Sequence, residues 1–211
     1  FIISGPINII PNNGSFLKAS ARDSAQLLAN ENVVHLYGDV TMHRLDGSIK
    51  GNLAILSNES MAMSGAVSVI GEQGAATANE FSTDATNNWQ LNGKAYLEPS
   101  DESITWLAAD HLSVDSNGVI KGAGSFSAEL QIGGRPAKLA CDEFTSLPER
   151  RFSSGAGAER DNMAKGNVVV ESNSGIVFGD RLDQLDSGRY LILADNNELT
   201  RGLVRDQGRE V

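Results

Sequence analysis

The stretch Val34-His35-Leu36-Tyr37-Gly38-Asp39-Val40-Thr41-Met42 alternates strictly, with Val34, Leu36, Gly38, Val40 and Met42 on one face and His35, Tyr37, Asp39 and Thr41 on the other. A period of two is the side-chain period of an extended strand, and an apolar face opposite a polar one marks a strand that buries a single side. The pattern returns in Met61, Met63, Gly65, Val67 and Val69. It returns again in Trp89, Leu91, Gly93, Ala95 and Leu97, opposite Gln90, Asn92, Lys94, Tyr96 and Glu98. Over Ala19 to Ala29 a helical period competes weakly, without caps, so that segment is also read as extended.

The recurrence sets the architecture. Tyr37-Gly38-Asp39-Val40, Ser64-Gly65-Ala66-Val67 and Asn92-Gly93-Lys94-Ala95 share one phrase, their glycines 27 and 28 residues apart. Lys121-Gly122-Ala123-Gly124 follows 29 residues later, and Lys165-Gly166-Asn167-Val168 after a further 44. Between the glycines lies a second phrase, a small residue, a polar one and then an apolar one: Gly51-Asn52-Leu53, Ala78-Asn79-Glu80-Phe81, Ala109-Asp110-His111-Leu112, Cys141-Asp142-Glu143-Phe144 and Gly179-Asp180-Arg181-Leu182. Two alternating phrases define a two-strand unit of roughly 30 residues, and about five or six units fill the chain. Glycine weakens a strand interior, so Gly38, Gly65, Gly93, Gly122 and Gly166 require a cause. Either they form bulges that twist the sheet, or they leave room for a bound chain against the apolar face. The segment from Pro148 to Asn162 breaks the rhythm and reads as a loop or junction inside one domain spanning 1–211.

Composition agrees with this and excludes several functions. The 211 residues include 22 glycines and 5 prolines with few aromatics, which suits many strands joined by tight turns. A net charge of −10 argues against nucleic acid as a partner and against attraction to anionic membranes. The lone Cys141 forms no intramolecular disulfide and no cysteine-based zinc site. No apolar run reaches the length of a transmembrane helix. The chain opens in mid-pattern at Phe1-Ile2-Ile3, which leads us to expect a targeting or anchoring segment ahead of it.

Catalytic chemistry finds no foothold. His35 and His43 share one strand face but stand eight residues apart, too far to hold one ion, and His111 belongs to another unit. Asp110 and Asp115, and Asp180, Asp183 and Asp186, flank short strands as solvating residues rather than as a glycosidase pair. No phosphate loop, nucleophile elbow or metalloprotease helix is present. The expectation is a non-enzyme with no catalytic residue, metal or cofactor.

The phrases Val34 to Met42, Ala109-Asp110-His111-Leu112-Ser113-Val114-Asp115 and Ala164-Lys165-Gly166-Asn167-Val168-Val169-Val170 resemble the OstA-like repeats of the periplasmic lipopolysaccharide transport family. In such a repeat, alanine-aspartate-x-apolar is followed by a turn and then apolar-x-glycine-asparagine-valine. The stretch Gly175 to Leu182, followed by Tyr190 to Leu193, is similar to the terminal repeat of the family's bridge component. The resemblance covers most of residues 16–204. It implies an all-β, repeat-built antiparallel β-jellyroll, open and V-shaped, made of two sheets and of roughly 12 to 16 strands. It implies a periplasmic location, reached through either a cleaved signal or an inner-membrane anchor outside this sequence, and carriage of lipopolysaccharide acyl chains between the membranes. The implied partners are lipopolysaccharide and other jellyroll proteins of the same transport chain, joined head to tail through edge strands.

On this reading Leu36, Val40, Met42, Met63, Val67, Val69, Leu91, Leu97, Leu112, Val168 and Val170 line the groove for the lipid. Each methylene kept from water is worth about 0.8 kcal/mol, which is why a travelling acyl chain needs a continuous apolar lining. The competing expectation is a β-repeat surface adhesin or a carbohydrate-binding β-solenoid. The adhesin would be a parallel helix with a closed core, and the solenoid would carry an aromatic-lined groove in which only Trp89 and Trp106 could serve.

Overall fold

The structure is a computed structural model, which describes residues 1–10, 16–45, 47–57, 60–100, 103–132, 135–148, 161–186, 189–194 and 201–204. The described residues hold sixteen strands and no helix, and the chain divides into two compact units, Phe1–Ser100 and Asp101–Val211. The irregular segment that the sequence places at 148–162 is strand from Asp161 onward, and residues 149–160 lie outside the described residues.

In the first unit, β1 (Ile2–Ser4), β2 (Ile7–Ile9), β3 (Lys18–Ala21) and β4 (Ser24–Leu28) precede five long strands. These are β5 (Val33–His43), β6 (Ser48–Leu56), β7 (Met61–Gly71), β8 (Gly74–Thr83) and β9 (Trp89–Pro99). They form an antiparallel meander from β5 to β9, each strand paired with the next. β3 and β4 act as one interrupted strand: β3 pairs with Thr41–His43 of β5, and β4 pairs with Val33–Tyr37. β1 and β2 pair in turn with β4 and β3.

The second unit repeats the scheme with β10 (Ile104–Val114), β11 (Ile120–Ile132), β12 (Arg135–Leu147), β13 (Asp161–Ser172) and β14 (Gly175–Asp186). Its last strand is again divided, β15 (Arg189–Leu193) and β16 (Arg201–Val204) pairing with opposite halves of β14. Every ladder in both units is antiparallel, as the short turns require, and this removes the parallel coil of the alternative expectation.

The two recurring phrases turn out to be two halves of one device. Gly38-Asp39, Gly65-Ala66, Gly93-Lys94, Gly124-Ser125 and Gly166-Asn167 all have positive φ, between 43° and 83°. At each pair the register slips by one residue: Tyr37 pairs with Leu53 but Val40 pairs with Gly51, Lys165 pairs with Arg181 but Val168 pairs with Gly179, and Asn92 pairs with Glu80 but Tyr96 pairs with Thr77. These are β-bulges in mid-strand. The strand preceding each bulge contributes the Asp or Asn of the second phrase, packed on the glycine. A Cβ built on Gly65 would meet Asn52, one on Gly93 would meet Asn79, one on Gly124 would meet Asp110, and one on Gly166 would meet Asp142. At the divided strand the same place is taken by Asp23, against Gly38.

Two expectations about these glycines are corrected here. The bulge in β11 is at Gly124, not Gly122, whose φ is not in the left-handed region and whose missing side chain makes room for the ring of Phe126. The bulge glycines also leave no room toward the apolar face, because the space a side chain would need is filled by exposed Asp or Asn side chains.

The bulges bend the strands. In an extended strand residues i and i+4 stand about 13 Å apart, yet Phe126 lies against Gly122 of its own strand. Phe126 also stacks on Phe144 with ring centroids 4.4 Å apart, although Phe126 pairs in register with Cys141 and Phe144 with Gly122 on the other side of the bulge. In the first unit the folding back is more pronounced. Arg44 follows the end of β5, while Asn87 sits in the β8–β9 loop, level with the beginning of β5 through the pairs Val34–Leu56, Leu56–Met61 and Met61–Thr83. Nine residues of strand, about 30 Å, would separate these ends in a flat sheet. Arg44 Nη2 nevertheless donates to Asn87 Oδ1 at 2.6 Å.

Candidate functional site

The bulge divides each long strand of the first unit into two arms, and each arm carries a row of inward side chains across the meander. One row runs Leu36, Ala54, Met63, Phe81, Leu91 through paired positions of β5 to β9. The other runs Ala19, Met42, Ile49, Val69, Ala76, Leu97 from β3 to β9. Val40 opposite Gly51, and Val67 opposite Ala78, fill the bend. All are buried, Leu36, Met42, Leu91 and Leu97 completely. Glycine at position 51 is the complement of a large neighbour, since a Cβ there would stand 2.6 Å from Met63 Cγ.

The eleven predicted lining residues therefore fall into two sets. Leu36, Val40, Met42, Met63, Val67, Val69, Leu91 and Leu97 share the core of the first unit. Leu112, Val168 and Val170 belong to the second, where Leu112 and Val168 are buried and Val170 is half-buried. The second unit adds its own rows, Leu112, Gly122, Phe144, Ala164, Leu182 and Leu107, Ala128, Leu139, Val170, Val177.

Sequence reasoning missed Ile49, Phe81, Leu107, Leu130, Phe126 and Phe144, which are among the largest fully buried side chains. On the even-numbered strands the inward positions straddle the bulge contact. Ala78 and Phe81, Ala109 and Leu112, and Cys141 and Phe144 point inward, with two exposed residues between each pair. That spacing of three breaks the period of two and hides these residues from an alternation search. The available signal was the second phrase itself, whose small and large apolar ends are both core positions.

Among the described residues no group of three or more His, Cys, Asp and Glu side chains converges on a point that could hold a metal ion. His35 Nδ1 shares a hydrogen bond with the Tyr37 hydroxyl at 3.2 Å. Asp115 closes its turn by accepting from the backbone N–H groups of Asn117 and Val119. Trp89, the aromatic a sugar would need at the surface, is buried edge-on to Phe81. Burial, assisted by the charge of Asp142, pushes the Cys141 thiol up to about 12. It occupies the small inward position of its repeat, the place of Ala78 and Ala109. On the outer face of the first unit a shallow depression of about 320 Å³ lies between Leu53 and Ile55 on one bank and Glu80 and Asn92 on the other.

No protein-family model matches the chain, and no curated protein matches its sequence.

Proposed function

We propose that the chain is a periplasmic lipopolysaccharide-binding component that carries acyl chains between two apolar arms of a β-jellyroll on the way from the inner to the outer membrane. The observation that carries this reading is the pair of apolar rows set on either side of a column of bulges. Bent strands whose tips approach each other turn both rows toward a common interior, and a stack of such strands lengthens that interior by one strand spacing, about 4.8 Å, at every step. An acyl chain laid across the strands between parted arms would meet apolar side chains at each rung. Methionines at 42, 61 and 63 suit a lining that must repack around flexible chains.

The partners follow from the same chemistry. The first strand exposes Ile2 and Ile3, and β15 exposes Leu191 and Leu193, so β1 and β15, the two ends of the strand order, offer exposed apolar side chains. Such edges take further strands by β-augmentation, and the proposed partners are other jellyroll units of the transport chain.

Photo-reactive residues test the reading directly. Placed at Leu36, Met63 and Leu91 in cells making lipopolysaccharide, they should capture it, while the same groups at His35, Asn92 and Lys94 on the outer face should not. Equal capture from both faces, or none from the inner one, would rule the groove out.

A further inference from the structure

The eight lining residues of the first unit are shut away from solvent in this conformation, the most exposed of them at 2%. A lipid can reach them only if the arms part. The contact described above that ties one strand end to the other is the hydrogen bond of Arg44 to Asn87. Arg44 belongs to the β5–β6 connection, where its backbone N–H also donates to the Gly47 carbonyl, so its main chain is fixed and only the side chain reaches across. Asn87 sits in a loop built to present it. Asp84 accepts from the backbone and hydroxyl of Thr86 and from the backbone and amide of Asn88, and the Asn87 N–H donates to the Asp84 carbonyl. Asn87 itself has φ +63°, a left-handed conformation that asparagine tolerates better than most residues.

A second observation lies two residues on. The indole Nε1–H of Trp89 is buried with no hydrogen-bond acceptor among the described residues. A buried donor without a partner destabilises the state that contains it. The closed arrangement around Trp89 is therefore held against a cost that opening would relieve, since an exposed indole N–H finds water or the oxygen of a ligand.

We propose that Arg44 and Asn87 form a latch across the mouth of the first unit, closed in this conformation, whose release parts the arms and admits an acyl chain beside Trp89. The device rests on the lipid-carrier reading for its ligand, but not for its motion. A neutral-to-charged hydrogen bond is the right kind of catch, since it holds a mouth shut and yields when the open state is favoured by an acyl chain that covers the parted apolar arms. An anionic headgroup at the mouth would also compete for the guanidinium, so the cargo itself favours release.

The experiment uses the whole chain with Trp106→Phe, leaving Trp89 as the sole indole, and with spin labels at the exposed Leu45 and Ala85 on either side of the contact. The parent should show blue-shifted Trp89 emission and one narrow, short label distance. Arg44→Ala and Asn87→Ala should each red-shift the emission, raise acrylamide quenching several-fold and add a longer distance, whereas Arg44→Lys should fall between. A distance distribution and emission unchanged in both alanine variants would overturn the latch. In the converse arm, Arg44→Cys with Asn87→Cys, in a Cys141→Ala background, is bridged by a short bis-maleimide. Uptake of a fluorescent long-chain fatty acid should fall at least tenfold on bridging, and uptake at the unbridged rate would also overturn the proposal. If the parent takes up no fatty acid while the alanine variants still open, the latch stands and the lipid-carrier reading fails.

Discussion

A Cβ built on Gly93 would stand 2.7 Å from Asn79 Nδ2, and the glycine holds a φ of +71°. Two independent reasons thus exclude a side chain there, backbone conformation and occupied space. They can be separated, because Gly118 has φ +78° with only ordinary contacts around it, while Gly122 lacks the left-handed φ but would press on Phe126. Gly118→Ala should cost about 1–2 kcal/mol, the penalty of a left-handed alanine. Gly122→Ala should cost about 1–3 kcal/mol through overpacking. Gly93→Ala should cost more than either, and Asn79→Ala should restore part of the loss only in the Gly93→Ala background. Urea unfolding of the four variants and the double mutant measures all of this.

The residue after each bulge glycine is also left-handed, and there the side chains differ: Asp39, Ala66, Lys94, Ser125 and Asn167. Asparagine and aspartate tolerate this region because their short polar side chains bond locally, and Asn167 Nδ2 donates to Asp142 Oδ2 at 2.8 Å across the bulge. Ala66 has no such compensation. Ala66→Asn should raise stability by up to about 1 kcal/mol, read as a higher urea midpoint at unchanged slope.

The bulges also explain what the sequence disclosed and what it hid. Strand type, antiparallel order and the inward set Leu36, Val40, Met42 were legible because odd-numbered strands keep one parity through the bulge. Phe81 and Phe144 were not, because the even-numbered strands shift phase at Asn79-Glu80 and at Asp142-Glu143. The functional guess about the glycines failed for a related reason. In a regular strand Gly38 would share the face of Leu36 and Val40, but a positive φ redirects the vacant position toward Asp23. Conformation, not alternation, decides where a glycine leaves space. The contact of Arg44 with Asn87 had no sequence signal, since the two stand 43 positions apart with a bend in the sheet between them.

Cys141 provides a local probe of the second unit. Its thiol is raised from 9.0 to about 12 by burial, so the neutral form is the one the fold stabilises. That contribution is complete below the unfolded value near 9 and is lost as pH rises from there through 12. At pH 8 the thiolate fraction is lower in the folded chain by roughly a thousandfold, so a thiol reagent should react with unfolded protein only. Modification of the native chain within minutes at pH 8 would show that the second unit opens. Cys141→Ala should be tolerated at a cost near 1 kcal/mol, because alanine fills the same place in neighbouring repeats.

The β8–β9 loop responds to acid through Asp84. The Thr86 hydroxyl, helped by the backbone N–H of Asn88, holds its carboxyl at about 2 against an ordinary 3.8. A depressed carboxylate stabilises the loop at every pH above its unfolded value, and the stabilisation is lost as pH falls from about 3.8 through 2. The amide signals of Thr86 and Asn88 should therefore titrate together with a midpoint near 2. Asp84→Asn keeps an acceptor for both N–H groups but removes the charge, so their acid titration should disappear while the loop stays folded at neutral pH. Because Asn87 lies between them, the distance from Arg44 to this loop should grow over the same interval in the parent chain. It should be independent of pH in the variant. A midpoint near 4 would mean that these bonds are absent in solution, and the loop could not then present Asn87 to Arg44.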